Sequence, residues 1–299
     1  MKKTILITGS ESFVASFLIK RLQKKYNLIA IDLKKKTKNT KFQIDIRKSL
    51  NKLKNINIDY VVHLAAISND NDAKKNPVDC FKTNVVGTLN LIEFANKKKV
   101  KNFVFASTQW VYDFDDKNKK KIDDKTIINP FKLTSEYGLS KLISEINIQQ
   151  NYKKYKLNST ILRFGIIYGP RSKNLSAFEG IFFKLINGDK IEIGSKKTGR
   201  NFIHIDDICS AIEKSIFMKG LNTFNLEGDE YITLGKLIST SSNILKKKIK
   251  IIEKNPNNIS KRKISNISSK KKLGWKLKYN LKKGIIDLIK YKRRNQFIK

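Results

Sequence analysis

Tyr137 and Lys141, in the run Tyr137-Gly-Leu-Ser-Lys141, combine with Ser107-Thr108 upstream as the residue types in this chain best suited to moving a proton. Tyrosine and lysine four positions apart share one face of a helix, so the Lys141 ammonium can approach the Tyr137 phenol. A phenol ordinarily titrates near 10, and service as a base at neutral pH needs a shift of roughly three units, about 4 kcal/mol. A fixed positive charge in a partly dry cleft acts in that direction, so the spacing predicts a Tyr137 pKa lowered by Lys141. Thr108 closes the apolar run that begins at Asn102 and puts a hydroxyl at a strand tip, where it can bind the same substrate oxygen. Taken alone, the spacing also arises by chance on the solvated helices of a Lys-rich chain, and the surface-helix reading is then the stronger one.

The segments that would position these residues alternate between strand and helix patterns. Thr4 to Thr8 is a β-rich run, followed by the turn Gly9-Ser-Glu-Ser12-Phe13-Val14-Ala15 and an amphipathic helix through Leu18, Leu22 and Tyr26. Strand, tight turn and helix form the layout that cradles a phosphate, and it sets Gly9, Ser12, Phe13 and Val14 where a dinucleotide pyrophosphate would lie. A second strand, Leu28 to Ile31, ends in Asp32, whose carboxylate can accept from an adenosine ribose and repels a 2′-phosphate. NAD is thereby favoured over NADP, although Lys34 to Lys36 weigh the other way. The strand ending at Asp59-Tyr-Val-Val-His63, a helix from Asn84 and the strand to Thr108 continue the alternation. The pattern predicts an α/β fold with a doubly wound, Rossmann-type parallel sheet and ligands at the carboxyl ends of its strands.

Composition narrows the function classes. The 299 residues carry 63 Lys and Arg against 26 Asp and Glu, a net charge of +37. Lysine is spread through the whole chain together with asparagine and isoleucine, which suits solvated faces better than a dedicated groove. No zinc finger, aromatic RNA-binding signature or single basic domain accompanies it, so no specific nucleic-acid partner is expected. No apolar run reaches the ~20 residues of a transmembrane segment, and Met1-Lys-Lys leads directly into a strand, so the expected location is cytoplasmic. Cys80 and Cys209 lie far apart, and the only histidines are His63 and His204; neither a metal site nor a disulfide framework is indicated. His63 reads as a satisfied structural histidine. His204 begins a helix that Asp206 and Asp207 are expected to cap and pin.

With these motifs in place, the chain resembles the NAD-dependent epimerase/dehydratase family, extended short-chain dehydrogenase/reductases that act on nucleotide sugars. The resemblance rests on Thr8-Gly9, His63-Leu64-Ala65-Ala66, Asn84-Val-Val-Gly-Thr88, Ser107-Thr108 before Val111-Tyr112 and the Tyr137/Lys141 pair. Arg163 before Tyr168-Gly-Pro-Arg171, Arg200-Asn-Phe-Ile-His-Ile-Asp-Asp207, Phe224-Asn225 and Leu273-Gly-Trp275 extend it over nearly the whole length. It implies Thr108, Tyr137 and Lys141 as catalytic residues. It further implies Asp45 and Ile46 on the adenine, Leu64 to Ala66 along the adenosine and pyrophosphate, Asn84 at the cofactor site, Lys141 on the nicotinamide ribose and Gly165 at the nicotinamide amide. Arg200 falls on the substrate diphosphate, where a planar guanidinium is well matched. A NAD-binding domain over 1–167 and a smaller α+β substrate lobe over 168–299, with some segments returning to the first, are expected. So is a homodimer through the helices at 84–97 and 137–155.

Departures from the family pattern shape the expected activity. The turn has Ser12 and Ala15 where glycines are usual, and Ser12 adds a Cβ near the pyrophosphate or a hydroxyl that could bond to it. Gln109 and Trp110 follow Thr108 where sugar 4,6-dehydratases carry Asp-Glu, so no acid and base for removing water are evident. Ile166 replaces a usual asparagine, and Asp113 a usual glycine. The expected activity is a nucleotide-sugar 4-epimerase using NAD, with a net oxidoreductase of the same fold and a non-catalytic nucleotide-binding protein as alternatives. In the second lobe, helices are expected at 176–188, 204–220, 233–245 and 280–291, with strands near 190–193 and 223–226 and a frayed basic tail from Lys292.

Overall fold

The computed structural model describes residues 2–34, 39–112 and 122–296; Lys35, Lys36 and Asp113 lie outside them. In chain order the first half runs β1 (Thr4–Thr8), α1 (Phe13–Leu22), β2 (Asn27–Asp32), β3 (Phe42–Gln43), β4 (Tyr60–His63), α2 (Asp70–Lys75), α3 (Pro77–Phe81), α4 (Gly87–Lys97), β5 (Asn102–Thr108), α5 (Glu136–Tyr155) and β6 (Ser159–Phe164). The second half runs β7 (Ile166–Tyr168), α6 (Ala177–Asn187), β8 (Lys190–Ile193), β9 (Gly199–Arg200), β10 (Phe202–His204), α7 (Ile205–Ser215), β11 (Leu221–Leu226), β12 (Ile232–Thr233), α8 (Leu234–Leu245), β13 (Lys250–Glu253), α9 (Ile267–Leu273) and α10 (Leu281–Gln296).

Seven strands form one sheet in the order β11-β6-β5-β4-β1-β2-β3, and every pairing is parallel. Parallel strands need crossovers, which place helices on both faces and bury the strands on both sides. Ile5, Leu6 and Ile7 are accordingly fully buried although consecutive. Ala15, Leu18, Ile19 and Leu22 give α1 its buried stripe, packed with Ile208, Ala211 and Ile212 of α7 on one face. Leu91, Ile92 and Ala95 of α4 and Ile148 of α5 cover the other.

The carboxyl half does not stay apart. β11 joins the main sheet beside β6, with Leu226 opposite Phe164, and α7 packs on the same face as α1. The remaining helices build a second core around Phe178, Phe182, Leu237 and Ile285. Trp275, almost fully buried, belongs to the first core, where its Nε1–H donates to the Asp207 carbonyl of α7 at 3.1 Å.

Three local expectations need correction. His204, not an aspartate, caps α7, its Nδ1 accepting from Asp206 N at 3.2 Å. Asp207 instead clamps the segment after Trp275 by accepting Lys278 N and Tyr279 N at 2.8 and 3.2 Å. The basic stretch after Tyr291 is helical through Gln296, because Leu281, Ile285 and Leu288 anchor α10 in the second core and the helix simply continues. The segment from Asn84 also differs in detail, starting as a π-turn over Lys82–Val86. Such turns insert one residue into a helix and recur at functional sites.

Candidate active site

Thr108, Tyr137 and Lys141 share one cleft of about 310 Å³, whose walls also include Ser12, Phe13 and Gly165. A larger hollow of about 610 Å³ between residues 47–54 and α4 is lined mainly by lysines, polar side chains and Phe94; its Glu93 is tied to Lys97 on the exposed face of α4, and the buried Thr108, Tyr137 and Lys141 set selects the smaller one. The cleft opens at the carboxyl ends of β1, β4, β5 and β6, spanning the β4/β1 boundary where the order of the sheet reverses.

β5 delivers Thr108 at its last position, and α5 delivers Tyr137 and Lys141 from its first two turns. Ser135 starts that helix, its hydroxyl accepting Gly138 N at 3.0 Å and donating to Asp70. Glycine is required at 138, because a Cβ there would lie 2.6 Å from the Trp110 carbonyl. All three reactive side chains are buried.

Their protonation differs from the expected pattern. Burial pushes the Tyr137 phenol up to about 12, opposed by a hydrogen bond with Thr108. Burial also drives the Lys141 amine down to about 7. The lysine does not hold the phenol ionised, since its Nζ turns to the Ala106 carbonyl at 2.8 Å and lies over the Phe105 ring. Loss of hydration outweighs the attraction that sequence spacing suggests. The folded pKa of Lys141 lies below its unfolded value, so the unfolded chain holds the extra proton between about pH 7 and 10.5 and stability rises with pH across that window. Urea titrations of wild type and Lys141→Met without NAD, at about pH 6.5 and about pH 9.5, are expected to show this rise in wild type and its loss in the variant.

Behind Thr108, Ser107 donates to Glu145, and Arg163 grips Glu145 through Nη2–Oε2 at 2.6 Å and Nε–Oε1 at 3.0 Å. Arg163 Nη1 also donates to the Tyr112 hydroxyl at 2.8 Å, and that hydroxyl reaches Asn225 Oδ1 at 2.8 Å. The motif positions of Arg163 and Tyr112 carry no evident task in the sequence; in the structure they hold the β5 tip.

The phosphate-cradling end is built as the turn pattern implies. Gly9 has φ +71°, and a Cβ on it would lie 2.7 Å from the Ala65 backbone. Ser12 sits at φ −71°, ψ 158° as the N-cap of α1, accepting Ala15 N at 3.3 Å. That conformation is open to any L-residue, so no glycine is needed there. The Phe13 and Val14 N–H groups precede the first intrahelical bond, Ser16 N to Ser12 O, leaving a helix N-terminus pointed at the cleft. Asp32 accepts Glu11 N and Lys34 N at 3.0 Å each, and two carboxylate oxygens retain further acceptor capacity. Leu64 N and Ala65 N donate to Thr8 Oγ1 at 3.2 and 3.1 Å, while Ala66 lines the cleft. His63 bonds Thr8 through Nδ1 and Thr88 through Nε2, at 2.7 and 3.0 Å, and burial holds its pKa well below the usual range. It is a neutral structural histidine.

The other expected residues stand further off. Asn84 lies behind the wall, its amide accepting Ile67 N and donating to Ile67 O and Ser140 Oγ at 2.9–3.0 Å, so it stitches the loop after β4 to α5. Asp45 is held by Arg47, and Ile46 O accepts Asn90 Nδ2. Arg200 is turned to the Gly199 and Ser260 carbonyls at 2.7 Å and does not line the cleft. Arg171 does line it, stacked over the Phe13 ring and paired with Glu179 at 2.7 Å. Its position inside a recognised motif was visible in the sequence, but its placement on α1 was not.

The sequence pattern of the NAD dependent epimerase/dehydratase family matches residues 5–230. This chain belongs to that family. It is 33% identical over 256 residues to the dTDP-D-glucose 4,6-dehydratase of Dictyostelium discoideum, an alignment that covers 75% of this chain and 58% of the longer relative. It is 30% identical over 314 residues to a putative UDP-glucose 4-epimerase of Methanocaldococcus jannaschii, covering 97% and 99% of the two chains. The UDP-glucose 4-epimerase of Thermotoga maritima, solved with UDP-glucose, has the same fold, with a TM-score of 0.88 at 23% identity over 98% and 99% of the chains.

As a family member the chain is NAD-dependent, and the Gly9 turn, the α1 N-terminus and Asp32 fit that cofactor. Gly9→Ala is expected to weaken NAD binding and lower thermal stability together, because alanine at positive φ is strained and its Cβ strikes the Ala65 backbone. Calorimetric titration and a melting curve check the pair. Among the described residues no helix is long and apolar enough to cross a membrane.

Proposed function

We propose that this protein is an NAD-dependent nucleotide-sugar 4-epimerase that works through a transient 4-keto sugar. The convergence of Thr108, Tyr137 and Lys141 in the cleft headed by the α1 N-terminus carries this reading. The neutral Gln109 and Trp110 beside Thr108 weigh against elimination of water, which needs its own acid and base. The dehydratase activity of the Dictyostelium relative is therefore not carried over.

When bound, NAD supplies the acceptor and donor of hydride at the sugar carbon, together with a cationic ring near the reacting oxygen. Gly9, Ser12, Phe13 and Val14 would hold its pyrophosphate, Asp32 its adenosine ribose, Asp45 and Ile46 its adenine, and Leu64 to Ala66 the side of the cleft along which it lies. Lys141 would hold the second ribose and Gly165 the nicotinamide amide, with Asn84 supporting from behind. Tyr137 first passes its own phenolic proton to the neutral Lys141 amine and then, as phenolate, takes the proton of the sugar 4-hydroxyl while Thr108 holds that oxygen. After the keto sugar turns over, Tyr137 returns the proton. Lys141, poised near neutrality, lets the buried pair change charge without importing a proton from bulk water. Arg171 lines the cleft, whereas Arg200 would have to turn from Ser260 to reach a diphosphate there.

A cytoplasmic homodimer through α4 and α5 belongs to the same proposal. Val78, Val86 and Leu89 on one side and Ile146 on α5 expose 43–62% of their surface, an apolar face suited to a second copy.

Proton NMR with NAD and a panel of UDP-, GDP-, CDP- and dTDP-sugars tests the reading through the anomeric and H4 signals. A C4 epimer formed without net NADH supports it. Consumption of added NADH by a 4-keto sugar replaces it with the reductase. Silence with NAD bound overturns the epimerase.

A further inference from the structure

Glu227 is the first residue past β11, at the carboxyl edge of the sheet, and it reaches the cleft wall without a counter-ion. Gly165 N donates to Leu226 O at 3.0 Å, a register that brings Glu227 beside Gly165. A Cβ on Gly165 would lie 2.1 Å from Glu227 Oε2, so the carboxyl occupies the space a side chain at 165 would take, directly behind a residue that lines the cleft. Glu227 is 1% exposed, and its Oε1 has no hydrogen-bond partner. The backbone aims it firmly, since the Glu227 carbonyl accepts Asn266 Nδ2 at 2.8 Å.

The charged groups on the surrounding elements are engaged elsewhere. Asp229, two residues on, pairs with Lys270 and Asn266. Arg163 on β6 is held by Glu145, and Lys141 on α5 turns to the Ala106 carbonyl. Burial alone acts on the carboxyl and raises its pKa well above the ordinary range; with 1% exposure and no cation or donor at Oε1, the site favours the protonated form over a bare carboxylate. A buried carboxyl with an unpartnered oxygen is costly, and a cation arriving on the other side of Gly165 would change its balance.

We propose that Glu227 is the counter-charge for the oxidised nicotinamide ring and thereby biases the site toward oxidised cofactor. As the cationic ring binds against Gly165, the Glu227 O–H bond breaks, the electron pair stays on the carboxylate and the proton leaves to solvent. Hydride from the sugar carbon brings the ring two electrons and removes its charge, and Glu227 recovers a proton from solvent. The inference rests on the NAD reading above. It explains why a carboxyl is kept where an apolar residue would pack at lower cost: an enzyme that starts each cycle by taking a hydride needs its cofactor oxidised.

Calorimetric titration of wild type with NAD+ and with NADH, each in buffers of different ionisation enthalpy, reads the proton directly. Expected are release of up to one proton with NAD+ and none with NADH. Glu227→Gln, which keeps shape and neutrality, should abolish the release and shift the NAD+/NADH affinity ratio about tenfold toward NADH, as expected for a charge several ångströms away across protein. NAD+ binding without proton release, or a folded variant that keeps the wild-type ratio, overturns the proposal. If Glu227→Gln does not fold, Glu227→Met takes its place in the same titrations, because Lys141 titrates near 7 in the same cleft and adds to the wild-type proton count. Binding of neither form by wild type overturns the NAD reading itself, and this inference with it.

Discussion

Tyr137→Phe is expected to lower epimerisation by roughly 10²–10⁴-fold, the usual worth of general acid–base assistance, while NAD affinity stays within about a factor of two. The variant removes one oxygen from a residue buried beside Thr108 and leaves the helix around it intact. Ser135 still caps α5, and Lys141 still reaches the Ala106 carbonyl. The loss therefore falls on the proton step and not on the fold. Turnover of the substrate found by NMR, followed at several pH values, checks the size, and calorimetry checks the cofactor. A variant that keeps half the wild-type rate would remove Tyr137 from the mechanism and leave Thr108 and Lys141 without a plausible base. Thr108→Ala is a useful companion. It leaves the phenol in place but deprives it of the one hydrogen bond that counters burial, so its activity should fall less steeply and its rate should rise later with pH.

The reactive set was legible in the sequence because each member announces itself locally. A tyrosine and a lysine four apart, a hydroxyl after an apolar strand, and a glycine before a helix are short-range patterns. The parallel sheet was legible from the same alternation. What escaped depends on contacts between distant segments. Lys141 was read as the group that lowers the Tyr137 pKa, yet its ammonium faces Ala106 and Phe105, residues 35 and 36 positions earlier in the chain, and both groups are dominated by desolvation. Asp206 and Asp207 looked like caps because acidic residues favour helix starts, but His204 takes that position and Asp207 serves a segment some seventy residues later. Glu227 carried no signal at all. Some later segments are expected to return to the first domain, but only the pairing of β11 with β6 brings this residue to Gly165.

The largest effect on stability should come from Arg163. Arg163→Met strands the Glu145 carboxylate, which is fully buried, and removing one partner of a buried ion pair costs about 3–5 kcal/mol. Chemical denaturation should show that loss as a lower midpoint with an unchanged slope. Replacing both partners tests the cause: in Arg163→Met/Glu145→Leu no charge is stranded, and most of the lost stability should return. Activity should not return with it. Glu145 also accepts the Ser107 hydroxyl, and Arg163 holds Tyr112, which reaches Asn225 on β11, the edge strand of the main sheet. Without that network the tip of β5 loses its tether one residue from Thr108, and a misplacement of the substrate oxygen by about 1 Å is enough to cost roughly 10²-fold in rate. A double variant that is stable and slow, with NAD affinity retained, would place the buried pair in the service of geometry. A double variant that regains both stability and rate would make it structural ballast and return the whole of catalysis to the three residues in the cleft.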